Sequence, residues 1–489
     1  MQVGRTGLSL AHSALGPASR RQTGNMPRDR ADDATQALVF SRAIETVIWA
    51  MPAVNLQLMY EAFAHSLGGR YNEVLFWSRL PDWRNQTLTP NPDTIYFMPF
   101  FDTRDGPVVI EIPPAQAGSI TGSLMDAWQC ALEDVGPAGA DRGAGGRYLI
   151  TPPDYTEPIP EGYIALRCAT FRGYGLFRSN VASSSEADIA KAVAYGREVK
   201  LYSLADADRP APTRFRDAAE ADFDSLIPYD ARFFELLNTV VQNEPWLVRD
   251  KAMIHQLASL GIRKGEPFTP DEPTLGLLTS AAIEARDILD ARYASLFTPP
   301  YFPGAAWAVP APAAVINGQQ TFYEEADSYP VDDRGVMFSF GFFSAKHLGG
   351  GQFYLMTTSD SAGEKLAGAR SYRLHVPPHV PVTLYWSATA YDRNTHGLIR
   401  GMTRASRASN SHDIRANEDG SVDVYFAPDA PEGQQGNWIP TDPKGDFEVL
   451  FRLYGPTAPL FDGTWLLPDI EPAGPAAPRR SSDPSVADA

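Results

Sequence analysis

Three acidic side chains stand close to aromatic ones where the sequence predicts that strands end. These pairs are Asp93 with Tyr96, Asp126 with Trp128, and Asp392 with Tyr391. A carboxyl group in aromatic surroundings can have a raised pKa and act as a general acid or base, or it can bind a hard cation. Taken singly, each carboxylate is better explained by a structural role, because Asp side chains cap turns and accept buried backbone hydrogen bonds. Taken together, the three are the predicted catalytic residues of one cleft, provided that the fold gathers them.

Cationic and aromatic side chains near these carboxylates are the predicted substrate-binding residues. They are Tyr96, Trp128, Arg178, Trp386 and Tyr391. An arginine that ends an apolar strand needs a carboxylate partner or the anionic group of a substrate. Arg452, inside the apolar run 451–454, raises the same expectation. A structural salt bridge is the alternative for both arginines.

The histidines indicate chemistry less strongly. His375 and His379 flank two prolines that forbid a helix, and in an extended chain they lie about 13 Å apart, too far for one ion. We therefore predict no metal site. A metal-dependent enzyme that uses His and Asp together is a third hypothesis for the function. The cofactor is unknown. His347 and His396 lie in predicted loops, where each is a catalytic candidate or an ordinary polar residue. The common nucleotide-binding, serine-hydrolase, zinc-protease and CxxC motifs are missing from the sequence.

Short strands between glycine and proline turns must position these side chains. The stretch 381–392 begins apolar and then alternates, which predicts a long strand through a core. Strands and turns recur over 80–177 and 349–454, a spacing typical of β-sandwiches. Helical periodicity covers 31–67, where Pro52 kinks or divides the segment, and 185–296. The predicted fold is mainly β with α insertions: two β-sandwich, jelly-roll-like domains plus a helical subdomain.

Changes in composition predict the domain boundaries. A disordered extension at 1–30 precedes an N-terminal helix and the first β-sandwich domain at 31–184. A helical subdomain at 185–298 is followed by a proline-rich linker and mixed segment at 299–345. The second β-sandwich domain covers 346–471, and a disordered tail rich in Pro, Ala and Ser covers 472–489.

The charge balance makes some partners poor candidates. The chain has 42 Lys and Arg against 59 Asp and Glu, a net charge of −17 that repels phosphate backbones. We therefore predict a small-molecule ligand and no nucleic acid as partner. No run in the sequence reaches the roughly 18 apolar residues of a membrane span, so we predict none. Cys130 and Cys168 lie in apolar runs and are expected to be buried free thiols, with one inter-strand disulfide as the alternative. The N-terminus is a poor secretory signal, so we expect a cytoplasmic protein, and a homo-oligomer stays open.

A set of motifs in a fixed order points to a known family. The motifs lie at 91–96, 106–113 and 122–128, and then at 372–377, 385–392, 419–425, 431–440, 452–456 and 465–470. Together they resemble the bacterial and fungal two-domain family built from domain of unknown function 1254 followed by domain of unknown function 1214. The resemblance implies two β-sandwich, jelly-roll-like domains with helical additions. It implies no catalytic residues, because the family has no settled reaction, and the N-terminus departs from the many relatives that look exported.

Two classes of function fit these residues. The leading hypothesis is an enzyme, a hydrolase or lyase acting on a small polar or aromatic metabolite in a cleft at or between the two β-sandwiches. One carboxylate would act as general base, and Arg178 or a tyrosine would hold an anionic group. The alternative is a non-catalytic ligand-binding or envelope-associated protein, in which the same residues build turns and core. Side chains that converge on a concave pocket favour the enzyme.

Overall fold

The computed structural model describes residues 28–342, 345–347 and 351–474, in which helices alternate with two groups of strands. The helices are α1 Arg28–Leu67, α2 Glu186–Gly196, α3 Arg232–Asn243, α4 Lys251–Ser259, α5 Glu272–Ser295, α6 Ala313–Thr321, α7 Val331–Phe340 and α8 Ala458–Phe461. Short 3-10 turns lie at Leu204–Asp206, Val248–Asp250 and Gln435–Asn437. Most of the predicted disordered extension at 1–30 and of the predicted disordered tail at 472–489 lies outside the described residues. Residues 28–30 are described and belong to α1, and Pro472 ends the last strand, Glu471–Pro472.

The first helix forms one side of a helical core. Ala43, Val47, Ala50 and Val54 recur at spacings of three and four residues, and all are buried with 0–1% of their surface exposed. This face packs against α3, α4, α5 and α7. Over Asp33–Leu67 the helix is also long and apolar enough to cross a membrane by length and composition alone, contrary to the sequence expectation. Its packing against the other helices accounts for the apolar face.

A close helix crossing joins α1 to α7. Pro52 has no N–H, so the carbonyl of Ile48, four residues earlier, loses its helical donor. The helix nevertheless continues through Pro52 rather than dividing there. Gly335 of α7 lies against that carbonyl, and a Cβ atom on Gly335 would be 2.8 Å from the Ile48 oxygen. The absence of a side chain at Gly335 therefore sets the distance between the two helices.

The first β-sandwich is built from the strands that follow α1. They are β1 Glu73–Phe76, β2 Asn85–Gln86, β3 Ile95–Asp102, β4 Val108–Ile112, β5 Ile120–Asp126, β6 Ala131–Val135, β7 Gly146–Thr151, β8 Ile164–Arg167, β9 Arg172–Ser179, β10 Lys200–Ser203, β11 Phe215–Asp217 and β12 Phe223–Asp224. A six-stranded sheet in the order β11-β1-β3-β9-β5-β6 faces a four-stranded sheet in the order β10-β4-β7-β8. Phe97 from one sheet and Ile110 from the other belong to the same buried core.

The second β-sandwich repeats this plan near the end of the chain. Its strands are β13 Gln352–Thr357, β14 Tyr372–Val376, β15 Trp386–Asp392, β16 Ser406–Ala408, β17 Val422–Ala427, β18 Trp438–Pro440, β19 Phe447–Tyr454 and β20 Glu471–Pro472. The sheets run β13-β19-β15-β16 and β18-β17-β14-β20. Trp386 and Phe451 from one sheet and Phe426 from the other share one core. Two sandwiches with helical additions confirm the predicted fold class.

The region 185–296 differs from its helical prediction. Ser185 caps α2 as expected, since its hydroxyl accepts a hydrogen bond from the Asp188 N–H at 3.2 Å. Between α2 and α3, however, the chain returns to the first sandwich as β10 and β11, and β12 then pairs with β2 in a separate two-stranded sheet. Helix resumes only at Arg232, the first residue of α3, because Pro228 disfavours helix just before it. Cys130 and Cys168 are buried free thiols, as expected.

Alanine substitutions at two helical glycines are predicted to change the free energy of unfolding in opposite directions. Gly335→Ala should destabilise the protein by about 1–3 kcal/mol, because the new methyl group overpacks the α1–α7 crossing. Gly276→Ala should stabilise it by about 0.5–1 kcal/mol, because nothing lies within 4 Å of a Cβ atom there and alanine favours helix. Urea unfolding followed by far-ultraviolet circular dichroism measures both changes. A Gly335→Ala protein at least as stable as the parent would contradict the close crossing.

Candidate functional site

A cavity of about 330 Å³ lies between the two sandwiches and the helical layer. Most of its lining is apolar, and these side chains come from both halves of the chain. They include Met59, Met98, Leu176, Met337, Phe340, Phe342, Phe353, Met356 and Leu450. A concave apolar site with a few polar groups is the usual form of a small-molecule site. The predicted position of a site between the sandwiches matches this cavity.

Two tyrosine–arginine pairs supply the polar part of the cavity wall, one pair from each sandwich. In the first sandwich, the register of β3 and β9 sets Tyr96 opposite Arg178. In the second, the register of β13 and β19 sets Tyr354 opposite Arg452. All four side chains line the cavity. Directly opposed residues in an antiparallel pair have neighbouring side chains, so strand pairing alone builds each pair.

The Arg452 guanidinium ties the two halves of the chain together. Nη1 donates to Thr389 Oγ1 at 2.9 Å, and Nη2 donates to the Thr89 carbonyl at 3.0 Å. Nη2 also donates to the Tyr391 hydroxyl at 2.6 Å, which in turn donates to the Pro90 carbonyl at 2.6 Å. Thr89 and Pro90 belong to the segment before β3. A cation from the second sandwich therefore satisfies backbone carbonyls of the first.

Three buried hydrogen-bond donors at the cavity have no partner among the described residues. They are Arg178 Nε, Arg452 Nε and the Tyr354 hydroxyl. Only 8% of Arg178 and 2% of Arg452 is exposed. The described lining contains no carboxylate, imidazole or thiol.

Asp93 lies behind the cavity wall at the contact between the two sandwiches. Its Oδ1 accepts a hydrogen bond from the Ser406 hydroxyl at 2.7 Å, and its N–H donates to Asn91 Oδ1 at 2.9 Å. Burial raises the pKa of the Asp93 carboxyl, whereas the Ser406 hydrogen bond and the charge of Arg452 act in the opposite direction. Asp93 Oδ2 has no partner among the described residues. The carboxylate thus joins the domains but does not line the cavity.

Asp126 and Trp128 lie elsewhere, in a tight turn beside α1. Asp126 Oδ1 accepts hydrogen bonds from the N–H groups of Trp128 and Cys130, both at 2.9 Å. The Trp128 ring packs on Trp49 of α1 with ring centroids 4.6 Å apart. Burial raises the pKa of the Asp126 carboxyl. This geometry matches the structural alternative, a carboxylate that organises its own turn.

Asp392 and Trp386 also serve local structure. Asp392 Oδ1 accepts from the N–H groups of Asn394 and Thr395 at 2.9 Å, which closes the turn after β15. Trp386 is 4% exposed and stacks on Phe451 in the core of the second sandwich. No hydrogen bond in the described structure links the three predicted catalytic carboxylates. The cavity brings together only Tyr96 and Arg178 of the predicted site, with Tyr391 and Asp93 behind them.

Sequence reasoning missed Tyr354 and left Arg452 out of the predicted site. A cation among apolar strand residues was a visible signal for Arg452. Tyr354 gave no signal, because its role depends on which distant strand pairs with its own. Among the described residues, no group of three or more His, Cys, Asp or Glu side chains has the geometry to hold a metal ion.

Comparison with known proteins identifies relatives but no activity. The model of a protein of unknown function (DUF1254) matches residues 71–203, and that of a protein of unknown function (DUF1214) matches residues 351–458. A search of curated proteins finds no significant match. The crystal structure of a protein from Vibrio parahaemolyticus is 17% identical, covers 89% of this chain and 100% of its own, and has a TM-score of 0.53. That of an uncharacterised protein from Burkholderia cenocepacia is 13% identical and covers 88% and 95%, with a TM-score of 0.37. The first likeness concerns the fold alone.

Replacing Arg452 tests whether it ties the two halves together. Arg452→Met should lower the free energy of unfolding by about 1–3 kcal/mol, because the Thr89 carbonyl stays buried without its donor. Tyr391→Phe, which removes one hydroxyl from the same network, should cost about 1 kcal/mol. Arg400→Met is the control: its ion pair with Asp224 is exposed, so it should cost less than about 1 kcal/mol. Urea unfolding followed by tryptophan fluorescence gives all three values. An Arg452→Met protein as stable as the parent would show that the guanidinium does not hold the segment.

Proposed function

The chain belongs to the two-domain family in which a DUF1254 domain precedes a DUF1214 domain, and we propose that it binds a small apolar molecule carrying one anionic group. The proposed site is the cavity between the sandwiches. The observation that carries the proposal is that three residues lining this one cavity, Arg178, Arg452 and Tyr354, each have a buried donor without a partner in the described structure.

The energetics of buried donors support an anionic ligand. A buried polar group without a partner costs about 1–3 kcal/mol, and a charged group costs more. A carboxylate has two oxygens and about four acceptor positions, so one such group can satisfy several of these donors. Hydrogen bonds to charged groups contribute about 1.5–3 kcal/mol. The same ligand would bring negative charge to two buried cations.

The apolar part of the cavity wall determines which chemical groups the ligand carries besides its anionic group. Methionine, phenylalanine and leucine side chains form most of the wall. Burial of apolar ligand surface against them contributes about 25 cal/mol per Å². The thioether side chains of Met59, Met98 and Met356 adapt to different shapes, so an aliphatic chain and an aromatic ring both suit the wall. The proposed ligand class is therefore amphipathic carboxylates.

The hypothesis of a hydrolase or lyase stays a prediction for this cavity. The described lining offers no carboxylate or imidazole to act as a base. Asp93, Asp126 and Asp392 are held by Ser406 or by their own turns. Binding, the alternative function expected from the sequence, agrees better with the residues that line the cavity.

Binding of matched acids and amides tests the proposal. We expect 2-naphthoate or decanoate to bind more tightly than 2-naphthamide or decanamide by about 10–100-fold, the equivalent of one charged hydrogen bond. Arg178→Met should remove this difference and leave the amide affinity nearly unchanged. Arg400→Met, far from the cavity lining, is the control. Isothermal titration calorimetry gives the dissociation constants. Equal affinity for acid and amide in the parent protein would overturn the proposed anion site.

A further inference from the structure

A second cavity, of about 770 Å³, lies beside the first, and its lining combines polar and charged side chains with apolar ones such as Leu226 and Ile227. Helix α5, the turn after β15 and the segment before β3 form its walls. Its charged lining is balanced, with Arg286, Lys365 and Arg393 against Asp287, Asp290 and Asp446. Arg393 pairs with Asp290 at 2.6 Å. A balanced polar lining suits a hydrophilic molecule without net charge, unlike the ligand of the first cavity.

His396 stands in this polar cavity on a constrained backbone. Its φ angle is 56°, in the left-handed region that costs a non-glycine residue about 1–2 kcal/mol. The Asp392 carbonyl accepts from the His396 N–H at 2.8 Å, and the His396 carbonyl accepts from the Thr89 N–H at 2.7 Å. Asp392 also closes the turn with its carboxylate, so it acts as a positioning residue for His396. Strain of this kind persists where the surroundings fix it, and it often marks functional sites.

A buried carboxylate orients the imidazole of His396. Nδ1 lies 2.7 Å from Glu448 Oε1, and Glu448 is 0% exposed. The other oxygen, Oε2, accepts from the Tyr293 hydroxyl at 2.7 Å, with Arg393 Nε 3.9 Å away. Because a carboxylate accepts hydrogen bonds, Nδ1 carries the proton and Nε2 is the basic nitrogen. Nε2 has no hydrogen-bond partner among the described residues.

The ring of His396 is also held from the sides. Tyr293 lies edge-on to it with centroids 5.1 Å apart, and Phe340 lies 5.9 Å away. A base whose far nitrogen is fixed by a buried carboxylate is the arrangement that general-base catalysis requires.

We propose that this polar cavity is a hydrolytic site in which His396 is the general base and the substrate is an uncharged, hydrophilic ester. Nε2 takes a proton from water as the water oxygen bonds to the carbonyl carbon. The carbon–oxygen bond to the alcohol then breaks, and the leaving alkoxide takes the proton back from Nε2. The products are one acid and one alcohol, and water is the other reactant. Lys365, exposed at the cavity, supplies positive charge for the oxyanion.

Hydrolysis of p-nitrophenyl acetate and of acetylated glucose by the full chain tests the site. His396→Gly should lower the rate at least about 100-fold, the usual contribution of a general base. Glycine suits the positive φ angle, so this variant should fold, and circular dichroism checks that it does. The space left by the ring should let added imidazole restore part of the rate, which a structural role would not produce.

Two further variants separate the base from its surroundings. Tyr293→Phe leaves Glu448 in place and should lower the rate about tenfold, since the carboxylate loses one of its hydrogen bonds. His412→Gln is the matched control, because this exposed histidine lies outside the cavity, and its rate should equal that of the parent. A folded His396→Gly protein within threefold of the parent rate would overturn the proposal. Absence of hydrolysis of both esters by the folded parent would overturn it equally.

Discussion

The hydrogen bonds from Arg452 to the segment before β3 are the contact on which both cavities depend. A strand of the second sandwich supplies the cation, and the first half of the chain supplies the carbonyls of Thr89 and Pro90. The segment carries no regular structure at this point. Without Arg452 the Thr89 carbonyl would lose its donor, whereas the Pro90 carbonyl would keep the Tyr391 hydroxyl. Leu88, in the same segment, lines both cavities. One short piece of chain is therefore the wall between an apolar site and a polar one.

Several acidic side chains elsewhere in the described structure are paired with arginines. Glu73 is paired with Arg216 at 2.9 Å, and Asp102 with Arg172 at 3.0 Å. Such pairing offsets the cost of removing ions from water. Arg178 instead faces Tyr96, with its guanidinium 5.5 Å from the ring centroid, and keeps a free Nε–H. A cation–π contact contributes about 0.5–2 kcal/mol and leaves the in-plane donors unused. The cation–π contact with Tyr96 thus stabilises the Arg178 charge and still leaves the Arg178 Nε–H available to an anion.

Local patterns in the sequence were enough to predict the sandwiches and several details within them. The strand predicted over 381–392 is observed only in its second half, as β15, and strands β13, β14, β17 and β19 lie within the predicted range 349–454. The turn roles considered for Asp126 and Asp392 agree with the hydrogen bonds that each makes within a few residues. These features depend on residues that are close to each other along the chain, so they can be predicted from a single sequence. The extent of helix after residue 185 was overestimated, because its apolar residues fit a strand edge as well as a helix face.

The candidate sites could not be predicted in the same way, because each depends on long-range strand register. Tyr354 faces Arg452 only because β13 pairs with β19 in this register, and a shift of β13 by one residue would turn the Tyr354 side chain to the opposite face of the sheet. Glu448 reaches His396 for the same reason. It lies on β19, whose other residues are mostly apolar and are typical of a core strand. The dependence on register also decides which variants are informative. A change at Arg452 disturbs the Thr89 segment and with it both cavities, whereas Arg178 and His396 each belong to one cavity. Substitutions at these two positions therefore separate ligand binding from hydrolysis.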